Sequence, residues 1–193
     1  MNRSVFSLAL MAVIMTSCSM DAGSGESRRI IPDIDSLMAI GADARGTVQK
    51  TSKLNGEETV GNYSPGKAFT EELEVFKSVE SMNLPVHHEH YIRSEKPDDS
   101  SNLLITEWVA TDSAAPVRSL RLHRREGEPA IIRLAAKIRN EGMFFSKSES
   151  LLIEFDPWTG RPERYAVTGR QRIAWLKEDV YAVQAEIGYA AGK

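Results

Sequence analysis

The chain has 193 residues, with 24 lysines and arginines against 27 aspartates and glutamates, a formal net charge of −3. So mild an acidity leaves no electrostatic footprint for nucleic acid, which is excluded as a partner. Hydrophobic residues make up 41%, an ordinary globular share, and no apolar run reaches the roughly 18 residues of a spanning helix.

Asn2 and Arg3 give the chain a short polar, basic start, and Val5 to Met15 form an apolar run broken only by Ser7. That is the layout of an export signal. The run closes in Met15-Thr16-Ser17-Cys18, which resembles a bacterial lipobox, with Met15 where that pattern prefers Leu. The resemblance implies a lipoprotein signal peptide over residues 1–17 and diacylglycerol on the Cys18 thiol. An ordinary secretory signal with an incidental cysteine is the alternative. Cys18 is the one cysteine in the chain, so no intramolecular disulfide can form. Residues 18–29, rich in Gly, Ser, Asp and Glu, read as a flexible tether, and residues 30–193 as a single domain. Ser19 is not the Asp that retains enteric lipoproteins at the inner membrane. By that resemblance the protein is expected at the outer membrane, facing the periplasm.

In the folded part, Ile30, Ile31, Ile34, Leu37 and Met38 recur at helical spacing, with Pro32 suited to a first turn and Gly41 to a stop. Asn55-Gly56, within Thr47 to Val60, is a hairpin signal whose sparse apolar content predicts an edge or a projecting ribbon. Ser64-Pro65 caps a second predicted helix, with Phe69, Leu73, Phe76, Val79 or Glu80, and Met82 on one stripe and Asn83-Leu84-Pro85 as its end. From Val86 the period changes to two. Strands are predicted at 88–93, 103–110, 117–125, 130–140, 143–155, 163–175 and 180–189, separated by turns rich in Asp, Gly, Pro and Asn. The resulting expectation is an α+β fold: a curved antiparallel meander of about seven strands, with one or two N-terminal amphipathic helices packed on its apolar face.

The chemistry-bearing clusters are few. His87-His88-Glu89-His90 has metal-ligand character, because on a strand His88 and His90 share a face. Two imidazoles need a third ligand, with His123, Glu107 or Asp112 as candidates, and a solvated edge strand is the simpler reading. Gly61 to Lys67 lacks the spacing of a phosphate loop, and no Gly-x-Ser-x-Gly elbow frames Ser146, Ser148 or Ser150. No catalytic residue and no metal is assigned, and no cofactor beyond the covalent lipid on Cys18. Arg118, Arg121, Arg124, Arg125, Arg133, Lys137 and Arg139 read as a charged outer face that protects the sheet from edge association, with a face toward anionic headgroups or lipopolysaccharide as the alternative. Trp158, in the turn Asp156 to Gly160, either packs back on the sheet or meets a partner.

Four stretches in order carry a resemblance: Ile31-Pro32-Asp33-Ile34-Asp35-Ser36-Leu37, Lys50-Thr51-Ser52-Lys53-Leu54-Asn55-Gly56-Glu57, Glu72-Leu73-Glu74-Val75-Phe76-Lys77 and Tyr165-Ala166-Val167-Thr168-Gly169-Arg170-Gln171. With them the mature chain resembles a group of Bacteroidota lipoproteins, which implies location and architecture and brings no catalytic residue. A fold-level analogy to Lol-type lipoprotein carriers stands beside it. Three functions follow as expectations. The first is a non-enzymatic, membrane-anchored envelope lipoprotein that binds or scaffolds a partner protein or apolar ligand. The second is a periplasmic carrier of hydrophobic ligands or lipoproteins. The third is a metal site at His87–His90. An open apolar concavity favours the carrier, and a filled core favours the first reading.

Overall fold

The computed structural model describes residues 29–39, 46–64 and 72–189. The signal segment, Cys18 and the tether up to Arg28 lie outside the described residues, as do Gly41, Pro65, Phe69 and the Met38 side chain.

Nine strands form one open antiparallel sheet among these residues. In chain order they are β1 (Gly46–Leu54), β2 (Glu57–Tyr63), β3 (Tyr91–Pro97), β4 (Leu103–Ala110), β5 (Val117–Arg125), β6 (Ile131–Gly142), β7 (Phe145–Phe155), β8 (Pro162–Ile173) and β9 (Asp179–Tyr189). Their spatial order is β2-β1-β9-β8-β7-β6-β5-β4-β3. The meander from β3 to β9 therefore continues into the first hairpin, and β2 and β3 are the open edges. Both edges are guarded by charge, with Lys53 and Glu58 paired at one and Arg93, Glu95, Lys96 and Pro97 on the other.

Alternation along each strand sends apolar side chains to one face. On that inner face Leu122, Leu134, Ile153, Tyr165 and Ala185 stand in one row across β5 to β9, and all five are buried. The outer face answers with His123, Arg133, Glu154, Arg164 and Glu186 in the parallel row. Glu154 there bridges Arg133, at 2.6 Å, and Arg164. One face is thus a core and the other a ladder of charge.

The inner face is covered by short segments. The α-helix α1 (Ile34–Ala39) has six residues. Glu74–Asn83 and Pro85–His90 are 3₁₀ helices. Leu73, Phe76, Val79 and Met82 are buried at steps of three, the spacing that three residues per turn stacks in one line. Ser78 and Ser81 donate their hydroxyls to the carbonyls of Val75 and Ser78, at 2.5 and 2.9 Å. Such back-bonding competes with the α-helical ladder and favours the tighter turn. Phe76 meets Tyr165 edge-on, with ring centroids 6.3 Å apart. The N-terminal stretch is tied to the same segment. Asn83 Oδ1 accepts from the amides of Ile30 and Ile31, and Glu80 Oε1 from that of Ile34.

These findings correct the expected fold class. The sheet has nine strands rather than about seven, because β1 pairs with β9 through nine residue pairs and carries β2 with it. The expected N-terminal amphipathic helices packed on a meander are absent among the described residues; helix is minor, and the Leu73 to Met82 stripe is 3₁₀. The strand expected from His88 begins instead at Tyr91, since Pro85 opens a 3₁₀ turn that runs to His90.

Phe76→Ala removes a fully buried ring and should cost about 3–5 kcal/mol in urea unfolding. A loss of about 1 kcal/mol or less would show that the ring faces a loosely filled space instead.

Candidate functional site

A hollow of about 750 Å³ opens on the inner face beside the β3 edge. Register builds it. Arg93 pairs with Trp108 across β3 and β4, Thr106 with Leu122 across β4 and β5, and Arg124 with Ile131 across β5 and β6. Arg29 to Pro32, His88, Tyr91 and Pro129 complete the rim. The Arg93 guanidinium lies over the Trp108 ring, 5.8 Å from its centroid, a cation–π contact worth about 0.5–1 kcal/mol at an open site. Glu95 Oε2 holds both Arg93 and Arg124, at 2.7 and 3.2 Å. One carboxylate shared by two guanidiniums leaves most of their roughly ten N–H donors to other acceptors. Arg29 is paired with Asp33 at 2.9 Å. Three guanidiniums, an indole and aliphatic walls suit a ligand that joins an anionic group to an apolar body.

A smaller hollow of about 350 Å³ lies between Glu72 and strands β1, β9, β8 and β7. Two Tyr–Glu–Lys groups face it. Glu72 Oε2 accepts from Lys50 Nζ at 2.6 Å and from the Tyr165 hydroxyl at 2.7 Å. Glu149 accepts from the Tyr181 hydroxyl at 2.5 Å and pairs with Lys147 at 2.8 Å. The Tyr181 ring reaches Glu149 by lying across Gly169, where an added Cβ would meet it at 2.5 Å. Burial raises the Glu72 carboxyl, but the hydrogen bonds from Lys50 and Tyr165 outweigh it and hold the group below the usual carboxylate range. Burial, and then the Glu72 carboxylate, push the Tyr165 phenol far above its ordinary value. A phenol and a carboxyl moved apart in this way do not exchange protons near neutral pH. The cluster acts as a clamp between the cover and the sheet.

The histidines are scattered. His88 lines the large hollow and meets the Asn83 carbonyl at 3.0 Å. His90 Nδ1 stands 3.9 Å from Asp112, and the His87 and His90 rings are 5.7 Å apart. His123 follows Leu122, which lines the hollow, so it projects from the opposite face. Among the described residues no three His, Cys, Asp or Glu side chains are placed to hold a metal ion. Glu107, the other candidate ligand, is paired with Arg121 at 2.6 Å.

The basic residues divide between the faces. Arg121, Arg133 and Arg139 pair with Glu107, Glu154 and Glu141, whereas Arg124 turns inward to the hollow. Trp158 is 81% exposed, with the Arg125 guanidinium 4.7 Å from its ring centroid. Arg93, Trp108, Glu72 and Glu149 were not among the sequence candidates. Glu149 carried a legible signal, because it shares the parity of Leu151, Ile153 and Phe155 and so had to meet the core. No protein-family model matches the chain, and neither the curated proteins nor the solved structures contain a match.

Burial, then the nearby Arg133, lowers the His123 imidazole below its ordinary 6.5. The unfolded chain therefore takes up this proton first as pH falls. Stability should decline from about pH 6.5 to the lower folded-state pKa, and no further from this residue below that. His123→Gln should lose less stability than wild type when urea midpoints at about pH 7.5 and about pH 5.5 are compared. Equal losses would show that the ring is not held neutral.

Proposed function

We propose that the chain is a non-enzymatic, lipid-anchored envelope protein that binds a small ligand combining an anionic group with an apolar body. The observation that carries the binding role is the hollow in which Arg93 covers Trp108 while Arg29 and Arg124 stand at its rim. Its volume falls within the roughly 300–1,000 Å³ of small-molecule sites. The lipobox-like Met15-Thr16-Ser17-Cys18 supports the anchor, and Ser19 supports the outer membrane facing the periplasm. Among the described residues no helix is long and apolar enough to cross a membrane.

The carrier reading finds less support. A hydrophobic carrier needs a vacant apolar space under its cover, and here Phe76, Val79 and Met82 are fully buried in one cluster with Leu120, Leu134 and Ile153. The hollow beside Glu72 has Val75, Val167 and Val183 in its wall, but Lys50, Glu72, Lys147 and Glu149 interrupt them with charge.

Two measurements test the proposal. In cells fed radiolabelled fatty acid, wild type should incorporate label and Cys18→Ala should not; equal labelling would remove the anchor. The chain from Ser19 onward keeps every described residue and should bind anilinonaphthalene sulfonate, an anionic aromatic probe. Arg93→Ala with Arg124→Ala should weaken that binding about tenfold or more, since charge-assisted hydrogen bonds are worth about 1.5–3 kcal/mol each. Unchanged affinity would place the probe elsewhere.

A further inference from the structure

At one end of the sheet two neighbouring hairpin tips carry apolar side chains outward. The β6–β7 hairpin turns on Met143 and Phe144, and the β8–β9 hairpin on Ala174 to Glu178. Met143 and Trp175 are each 89% exposed, Phe144 is 54% and Leu176 62%. The Ala174 amide donates to the Phe144 carbonyl at 2.8 Å, and the Phe144 and Trp175 rings lie 5.5 Å apart at a shallow tilt. The tips form one apolar point.

Trp175 occupies that point against local preference. The Leu176 amide closes a turn onto the Ile173 carbonyl at 2.9 Å, and Trp175 sits in it with φ +67°. This left-handed position favours Gly or Asn and disfavours a bulky side chain. In the β1–β2 hairpin the same need is met by Asn55-Gly56, with φ +52° and +96°. Beyond its contact with Phe144, the indole is placed in a strained turn and left in water, and strain of this kind points to a functional role.

We infer that this aromatic point inserts into the interfacial region of a lipid bilayer bearing anionic headgroups. Trp is the side chain that most favours this region, with its apolar body below and its N–H at headgroup level. Behind the point, exposed Arg170, Arg172 and Lys177 take part in no ion pair among the described residues, so their charge is available to phosphate groups. The acids at this end include Glu141, paired with Arg139, Asp179, bonded to Asn55, and the exposed Glu57 and Glu178. A protein partner fits less well. Two aromatic side chains at about 150–250 Å² each, with Met143 and Leu176, fall short of the roughly 800 Å² that each side of a stable interface buries. The inference does not depend on acylation at Cys18.

The chain from Ser19 onward should co-sediment with vesicles of phosphatidylglycerol and phosphatidylcholine. Phe144→Ser combined with Trp175→Asn should lower the vesicle-bound partition about tenfold or more, as two buried aromatics are lost. Asn suits the left-handed turn, so the unfolding midpoint should stay level or rise, which separates lost insertion from lost folding. Trp158→Ser, at the opposite end of the sheet, should leave the partition unchanged. Failure of wild type to sediment, or equal sedimentation of the double variant, overturns the inference. An equal loss from Trp158→Ser also overturns it.

Discussion

A sheet nine strands wide, with no second sheet against it among the described residues, has one apolar face that must be kept from water by whatever chain remains. Here that chain is short: α1, two 3₁₀ stretches and the residues that join them. The cover therefore has to work by density rather than length. The line Leu73, Phe76, Val79 and Met82 drops a large side chain onto the core at every turn, and full burial of each is worth about 1.5–3 kcal/mol. A 3₁₀ helix gives poorer backbone hydrogen bonds than an α-helix, and packing of this kind is what offsets the difference.

Polar contacts then set the cover's position. Asn83 and Glu80 receive three amides of the N-terminal stretch, and Lys77 pairs with Asp35 at 3.0 Å. On the other side, Glu72 is gripped by Lys50 and Tyr165 from the sheet. A carboxylate accepting from a charged donor and a buried phenol makes hydrogen bonds stronger than the neutral kind. Where the cover ends, toward β3, the sheet face is left lined by Arg93, Trp108 and Arg124. The binding hollow is thus the uncovered remainder of the same face that holds the core.

Much of the sheet was legible. Leu103–Ala110 and Val117–Arg125 stand as strands at their expected bounds, because alternation and turn residues act locally. β1 was harder to read: Gly46–Leu54 buries only Val48, so its apolar content pointed to an edge. Its place beside β9 rests on backbone pairing, which needs no apolar side chain. The strict three-residue step from Leu73 to Met82 was visible in the sequence, but steps of three also fit an α-helical stripe. The hollow was beyond reach, because Arg93, Trp108 and Arg124 meet only through the register of three strands and the return of residues 29–32. Trp175 was hidden for a different reason, since nothing in composition marks a left-handed turn filled by an indole.

Cover and sheet pack as one filled core, which should open as a single cooperative unit. Native-state hydrogen exchange tests it most directly, because it reports the opening free energy of each segment. Amides in Glu74–Asn83 that bond within the 3₁₀ helix should share the opening free energy of the slowest amides in β6 and β7. Exchange about a hundredfold faster in Glu74–Asn83, with β6 and β7 still protected, would contradict it. The cover would then be a separately opening lid over a space able to admit a ligand.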